Sequence, residues 1–220
     1  MSRQALAAAL KLGVPKREAA RLARLDTPEK IQDFLTAMPT NFEPDGDTCR
    51  SVVATLRYGR AHCIEAAFIG ACALWIHGEP PLLMDLRAAK DDDHVVVLFR
   101  RSDRWGAISK SNHIWLRWRD PVYCTVRELA MSYFHEYVTG PRKTLRAYSR
   151  PIDLRRFDPK LWVTNGDHCW DVGAACDDAR HYPLITPAQA KRLRPRDAME
   201  VRAGKLLQFQ ARDRRTSLRY

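Results

Sequence analysis

No stretch of the 220 residues reaches about 18 uncharged apolar positions, which excludes an ordinary membrane-spanning helix. The alanine-rich start, MSRQALAAALKLGVPKREAARL, is cut by Lys11. No small-residue cleavage site follows before Lys16, Arg17 and Glu18, so an amphipathic helix is expected rather than an export signal, and the expected location is the cytoplasm. The six cysteines, at 49, 63, 72, 124, 169 and 176, contain no CxxC pair and no dense framework. Reduced thiols are therefore expected. Internal repeats, low-complexity linkers and domain boundaries are also missing. The expectation is one domain over residues 1–220, with an N-terminal helical segment, 1–40, and a basic C-terminal segment, 191–220.

What is present is an ordinary globular composition, with 45% hydrophobic and 29% charged residues. The net charge is +11, and residues 191–220 alone carry +7 of it, from ten Lys/Arg against three Asp/Glu. Such a segment can attract nucleic acid or an acidic partner, or simply be solvated. Its last ten residues, 211–220, are expected to be dispensable for folding.

The first 38 residues read as helices. Pro15 can open one of them, and Thr27-Pro28 is an N-cap followed by proline at the first helical position. Residues 51–58 fit a short helix or an extended approach, ended by Gly59. HCIEAAFIGACALWIHG is the most informative helix, and Pro80-Pro81 stop any continuation. LLMDLRA, HVVVLF and WGAIS then read as three strands of an antiparallel meander, with a turn at Ser102-Asp103. Thr125 and Glu128 have capping-box spacing at a further helix. Residues 140–185 read as loop-rich. The fold class expected is α+β, with helices packed on a small antiparallel sheet.

Cys63 stands at the first turn of its helix. Unpaired N–H groups and the positive end of the helix dipole favour a thiolate there and can hold an oxyanion. Cys72, mid-helix, lacks both effects. His94 opens a strand after an acidic loop, and an imidazole is the partner a thiolate nucleophile needs. A helix crossing an antiparallel sheet could bring the two together. Bare spacing leaves open that His94 is structural and Cys63 inert.

The order HCIEAAFIGACALWIHG, strand, HVVVLF, WGAIS resembles the core of the transglutaminase-like cysteine protease superfamily, over roughly residues 50–115. That resemblance implies a transglutaminase/papain-like core, Cys63 as nucleophile and His94 as general base and acid. It implies acyl transfer or hydrolysis on a peptide or other amide-bearing substrate, with no cofactor and no metal. The family usually has Asp about four residues after the strand tryptophan, and that position here is Ser109. A hairpin centred between Ser102 and Asp103 sets Ser111 opposite His94 and Ser109 diagonal to it on the same face. Asn112 has the opposite parity. Asp85 and Asp93 are other candidates to orient the imidazole, and His62 is a candidate either to line the oxyanion pocket or to lie at the surface. The alternative is a non-catalytic module of the same fold, binding nucleic acid or an acidic partner through its basic C-terminus.

Two further groupings call for a structural answer. His168, Cys169, Cys176 and His181 could hold zinc, although adjacent ligands fit a tetrahedral site poorly. His113-Ile-Trp-Leu-Arg-Trp-Arg interleaves basic and aromatic residues and could stack bases, or form an edge strand with partly buried tryptophans.

Overall fold

The computed structural model describes residues 2–210. The basic stretch 211–220 lies outside them, so the expectation about that tail lies outside the described residues too. The architecture is α+β. Three N-terminal helices, α1 (Arg3–Lys11), α2 (Lys16–Leu22) and α3 (Pro28–Ala37), precede α4 (Val52–Tyr58) and α5 (Cys63–Ile76). Thr27 caps α3 through its hydroxyl, with Pro28 at the first helical position. Pro15 serves as the N-cap of α2 rather than its first residue. Ser51 caps α4, which ends at Gly59 with φ +75°, a left-handed conformation that glycine adopts without steric cost.

The sheet is antiparallel and runs β4 (Arg119–Tyr123), β3 (Arg104–Ile108), β2 (His94–Arg101), β1 (Leu82–Ala88), β7 (Leu145–Ser149), β9 (His181–Pro183), with β8 (Ile152–Asp153) also paired to β1. Its centre is the expected meander of β1, β2 and β3. The β2–β3 register pairs Val97 with Ile108 and Arg101 with Arg104. Ser102 and Asp103 both take positive φ, 47° and 60°, as a tight two-residue hairpin requires.

Both faces of this sheet are covered, so His94 to Phe99 are buried without alternation. On one face Val95, Val97 and Phe99 join α5 and the N-terminal helices in one apolar core. Gly70 of α5 sits so close to β2 that an added Cβ would lie 3.1 Å from Val97 Cγ2. On the other face Val96 and Leu98 meet Leu129, Tyr133 and Phe134, in and after α6 (Val126–Met131).

Residues 140–185 are loop-rich and also carry short elements: β6 (Arg142–Lys143), which pairs with β5 (Val138–Thr139), then β7, β8, α7 (Trp170–Asp177) and β9. They also supply Trp162, fully buried and stacked on Trp75 at 5.8 Å. Short polar strands carry little local signal: β7 and β8 are set by pairing with β1, and β9 by pairing with β7. Residues 113–118 form a 3-10 turn at Ile114–Leu116 rather than an edge strand, and the edge strand β4 spans Arg119–Tyr123. Glu128 accepts from Cys124 N instead of completing a reciprocal box with Thr125. Two short helices, α8 (Pro187–Lys191) and α9 (Ala198–Ala203), finish the described chain. Among the described residues no helix is long and apolar enough to cross a membrane.

Candidate active site

Cys63 is the first residue of α5, and its approach is held at several points. Asn41 N donates to Ala61 O at 3.0 Å, and Ala61 N donates to Pro39 O at 3.1 Å. Glu65, in the first turn of the helix, reaches back to accept the backbone N–H of His62 at 3.2 Å. Its carboxylate is fully buried and also accepts from Asn41 Nδ2, Thr48 Oγ1, and the backbone and guanidinium of Arg50, all between 2.9 and 3.2 Å. A buried charge this well provided with donors is tolerated and fixes the backbone around it. The His62-x-x-Glu65 spacing is that of an N-cap and its N3 partner, so this support was legible in principle.

Two imidazoles act on the Cys63 thiol. Nδ1 of His62 lies 4.0 Å from Sγ, while Nε2–H of His62 donates to Thr48 O at 2.8 Å. His94 is buried at the start of β2 and lines the same cavity as Cys63. Burial opposes the Cys63 charge, but the neighbouring His62 and His94 imidazoles outweigh it, lowering the thiol to about 5. Burial likewise opposes charge on His62. The neighbouring thiolate and the Glu65 and Glu43 carboxylates overcome it and raise His62 to about 9. His62 is thus positioned beside the sulfur as an imidazolium and is not a surface residue.

Ser109 holds the far side of His94. Its Oγ lies 2.6 Å from His94 Nε2 and donates its own proton to Leu116 O at 2.9 Å. The hydroxyl must therefore accept from Nε2–H, which leaves Nδ1 as the ring nitrogen available to the thiol. Gln32 in α3 clamps Ser109 in turn, accepting from its N–H and donating to its C=O, both at 2.9 Å. Sequence spacing gave no sign of Gln32, 77 positions away.

The other candidate orienters serve elsewhere. Asp85 pairs with His181 Nε2 at 2.8 Å, and Asp93 accepts from Ala88 N at 2.7 Å. Asn112 binds Phe209. Cys63, His62 and His94 open onto one cavity of about 210 Å³, walled by the 91–93 acidic loop, Tyr137 and Lys110. Lys110 is buried, donates to Met38 O, and is pushed down to about 7 by burial, with the charge of Arg117 adding to it.

The other cysteines differ from Cys63. All six are free. Burial pushes Cys72, Cys169 and Cys176 up to about 12 and Cys49 up as well. Among the described residues no cluster of three or more His, Cys, Asp or Glu is placed to hold a metal ion. His168 instead accepts from Cys49 N at 2.9 Å. In the aromatic-basic stretch Trp118 stacks on Phe99 at 5.1 Å, and Trp115 is exposed.

No protein-family model matches the sequence, and no curated protein matches it. Among solved structures the chain is similar to Legionella pneumophila LapG in its EGTA-treated form, at 20% identity and a TM-score of 0.34, over 43% of this chain and 58% of that one. The calcium-bound form of LapG is similar at 17% identity and a TM-score of 0.35, over 47% of this chain and 70% of that one. The chain spans under two thirds of the first of these structures, and a likeness this partial carries no argument about activity.

Proposed function

We propose that the chain is a cysteine-dependent acyl-transfer enzyme with a transglutaminase-like, papain-like core, acting on amide bonds of peptide-type substrates. The observation that carries this reading is Cys63 at the first turn of α5, sharing one cavity with His62, whose Nδ1 is 4.0 Å from the sulfur, and with His94, whose tautomer Ser109 sets.

In this scheme the Cys63 thiolate attacks the amide carbon, and the carbonyl π electrons move to oxygen. The N–H groups of the first turn of α5 receive that oxyanion. His94, protonated at Nδ1, gives its proton to the leaving nitrogen as the C–N bond breaks, leaving a thioester on Cys63. Neutral His94 then takes a proton from water, the default acceptor, or from an amine. The resulting nucleophile expels Cys63 as thiolate. Ser109 holds the ring throughout and takes no proton.

The test is mass spectrometry of the protein mixed with peptide or amide ester substrates and quenched in acid. A mass gain on the Cys63 peptide, absent in Cys63→Ser, supports the thioester. No adduct and no turnover across a broad peptide pool would overturn it.

One observation favours a second reading, a binding module of the same fold: His94 is held by a neutral hydroxyl and not by a carboxylate. In that case the basic segment 191–220 would contact nucleic acid or an acidic partner, and salt-sensitive binding would persist in Cys63→Ser.

A further inference from the structure

Beyond β3 the chain leaves the sheet, and residues 110–113 run along the wall of the Cys63 cavity. This stretch is not bare. Residues 207–209 of the same chain lie against it as an antiparallel extension, with Leu207 bridged to His113. Gln208 N donates to Asn112 O at 3.2 Å. Phe209 N donates to Asn112 Oδ1 at 2.8 Å, and Asn112 Nδ2 donates to Phe209 O at 2.9 Å.

Asn112 therefore reads both main-chain groups of one residue and the N–H of the residue before it. None of these contacts depends on the side chains of the segment. The segment also places Gln208 Nε2 at 3.2 Å from Thr36 O and the Phe209 ring 4.8 Å from Lys110 Nζ. Leu207 and Lys205 also line a second cavity of about 320 Å³, which shares Asp91, His113 and Val138 with the Cys63 cavity. The segment thus lies along the continuation of the cleft. It is delivered there after α9, and Arg196, just before that helix, bonds Gly140 O at 3.0 Å.

Adding an extended peptide to an exposed edge through main-chain hydrogen bonds is a general way to bind polypeptide whatever its sequence. An enzyme that attacks peptide-type amides must hold its substrate extended beside the nucleophile. On the reading that Cys63 is such a nucleophile, we infer that residues 110–113 form the backbone-recognition edge for an extended polypeptide substrate, with Asn112 as its reader. Residues 207–209 occupy that edge in the free protein and are displaced by the substrate. Three main-chain hydrogen bonds of ordinary net strength make such displacement feasible.

The experiment compares two thiol reagents on the full chain, on a chain lacking residues 206–220, and on Phe209→Pro, which removes the N–H that Asn112 Oδ1 accepts. Iodoacetamide needs no recognition edge. A pool of tetrapeptidyl acyloxymethyl ketones with mixed side chains does. Freeing the edge should speed Cys63 labelling by the peptidyl pool roughly tenfold and leave iodoacetamide labelling within about twofold. Asn112→Ala added to the shortened chain should remove the gain. The inference is overturned if Phe209→Pro and the shortened chain both melt like the parent yet label at the parent's rate with the peptidyl pool. It is also overturned if Asn112→Ala leaves the gain intact. Should the shortened chain unfold, Phe209→Pro alone decides. Failure of iodoacetamide to label Cys63 in every variant is a different result, because it removes the nucleophile itself.

Discussion

The hydroxyl of Ser109 accepts a hydrogen bond from His94 Nε2–H at 2.6 Å and donates its own to Leu116 O at 2.9 Å. A neutral group can set a histidine tautomer in this way, because its one donor is already committed elsewhere.

Ser109→Ala should keep the fold and lower turnover about fivefold, since one neutral hydrogen bond is worth about 1 kcal/mol. Ser109→Asp should not restore what the family's carboxylate provides. Its oxygens would face the Leu116 carbonyl that now accepts a hydrogen bond, so both activity and melting temperature should fall. Steady-state rates and thermal melts check this. Full activity in Ser109→Ala would place the control of His94 elsewhere.

Cys63 labelling should follow its lowered acidity. The thiolate is the reactive form and exists above the thiol's pKa, so the rate with iodoacetamide should fall as pH drops through about 5 and level off above it. His94→Ala and His62→Ala each remove a stabilising imidazole, so each should move that midpoint upward. At pH 6 Cys63 should label before the exposed Cys124. Peptide mapping reads the order, and first reaction at Cys124 would sink the assignment.

Glu65→Ala should be the most damaging single change near the site that leaves the reacting groups in place. It strips a shared acceptor from Asn41, Thr48, Arg50 and His62 N. Leaving buried donors and a partly buried guanidinium without that acceptor costs about 3 kcal/mol. For a chain of this size that lowers the melting temperature by roughly 6–12 °C. A shift under about 2 °C would mean that water replaces the carboxylate.

The Asp85–His181 pair should respond asymmetrically. Burial is the first cause that lifts Asp85, to about 6, and its Oδ1 has no partner. His181 Nδ1–H is committed to Ala179 O at 2.6 Å. An asparagine at 85 can still bond His181 Nε2 while removing the charge that burial disfavours, so Asp85→Asn should cost under about 1 kcal/mol. His181→Ala leaves Asp85 alone in the interior and should cost about 3 kcal/mol. Urea denaturation of both variants checks the order, and equal losses would show that the bond itself matters little.

Local chemistry in the sequence was enough to determine several features. Thr27-Pro28 set the start of α3, Pro80-Pro81 closed off α5, and the Ser102-Asp103 turn fixed the β2–β3 register that carries Ser109 to the His94 face. Capping atoms, proline rings and hairpin dihedrals act between neighbours, so their signal lies in adjacent letters. Tertiary structure alone decided the partners. Gln32 meets Ser109, Asp85 meets His181, and Asn112 meets Phe209 across separations of 77 to 97 positions. Packing brings each of these buried or part-buried polar groups to a partner that can satisfy it, and no periodicity in a chain records which distant residue will be there.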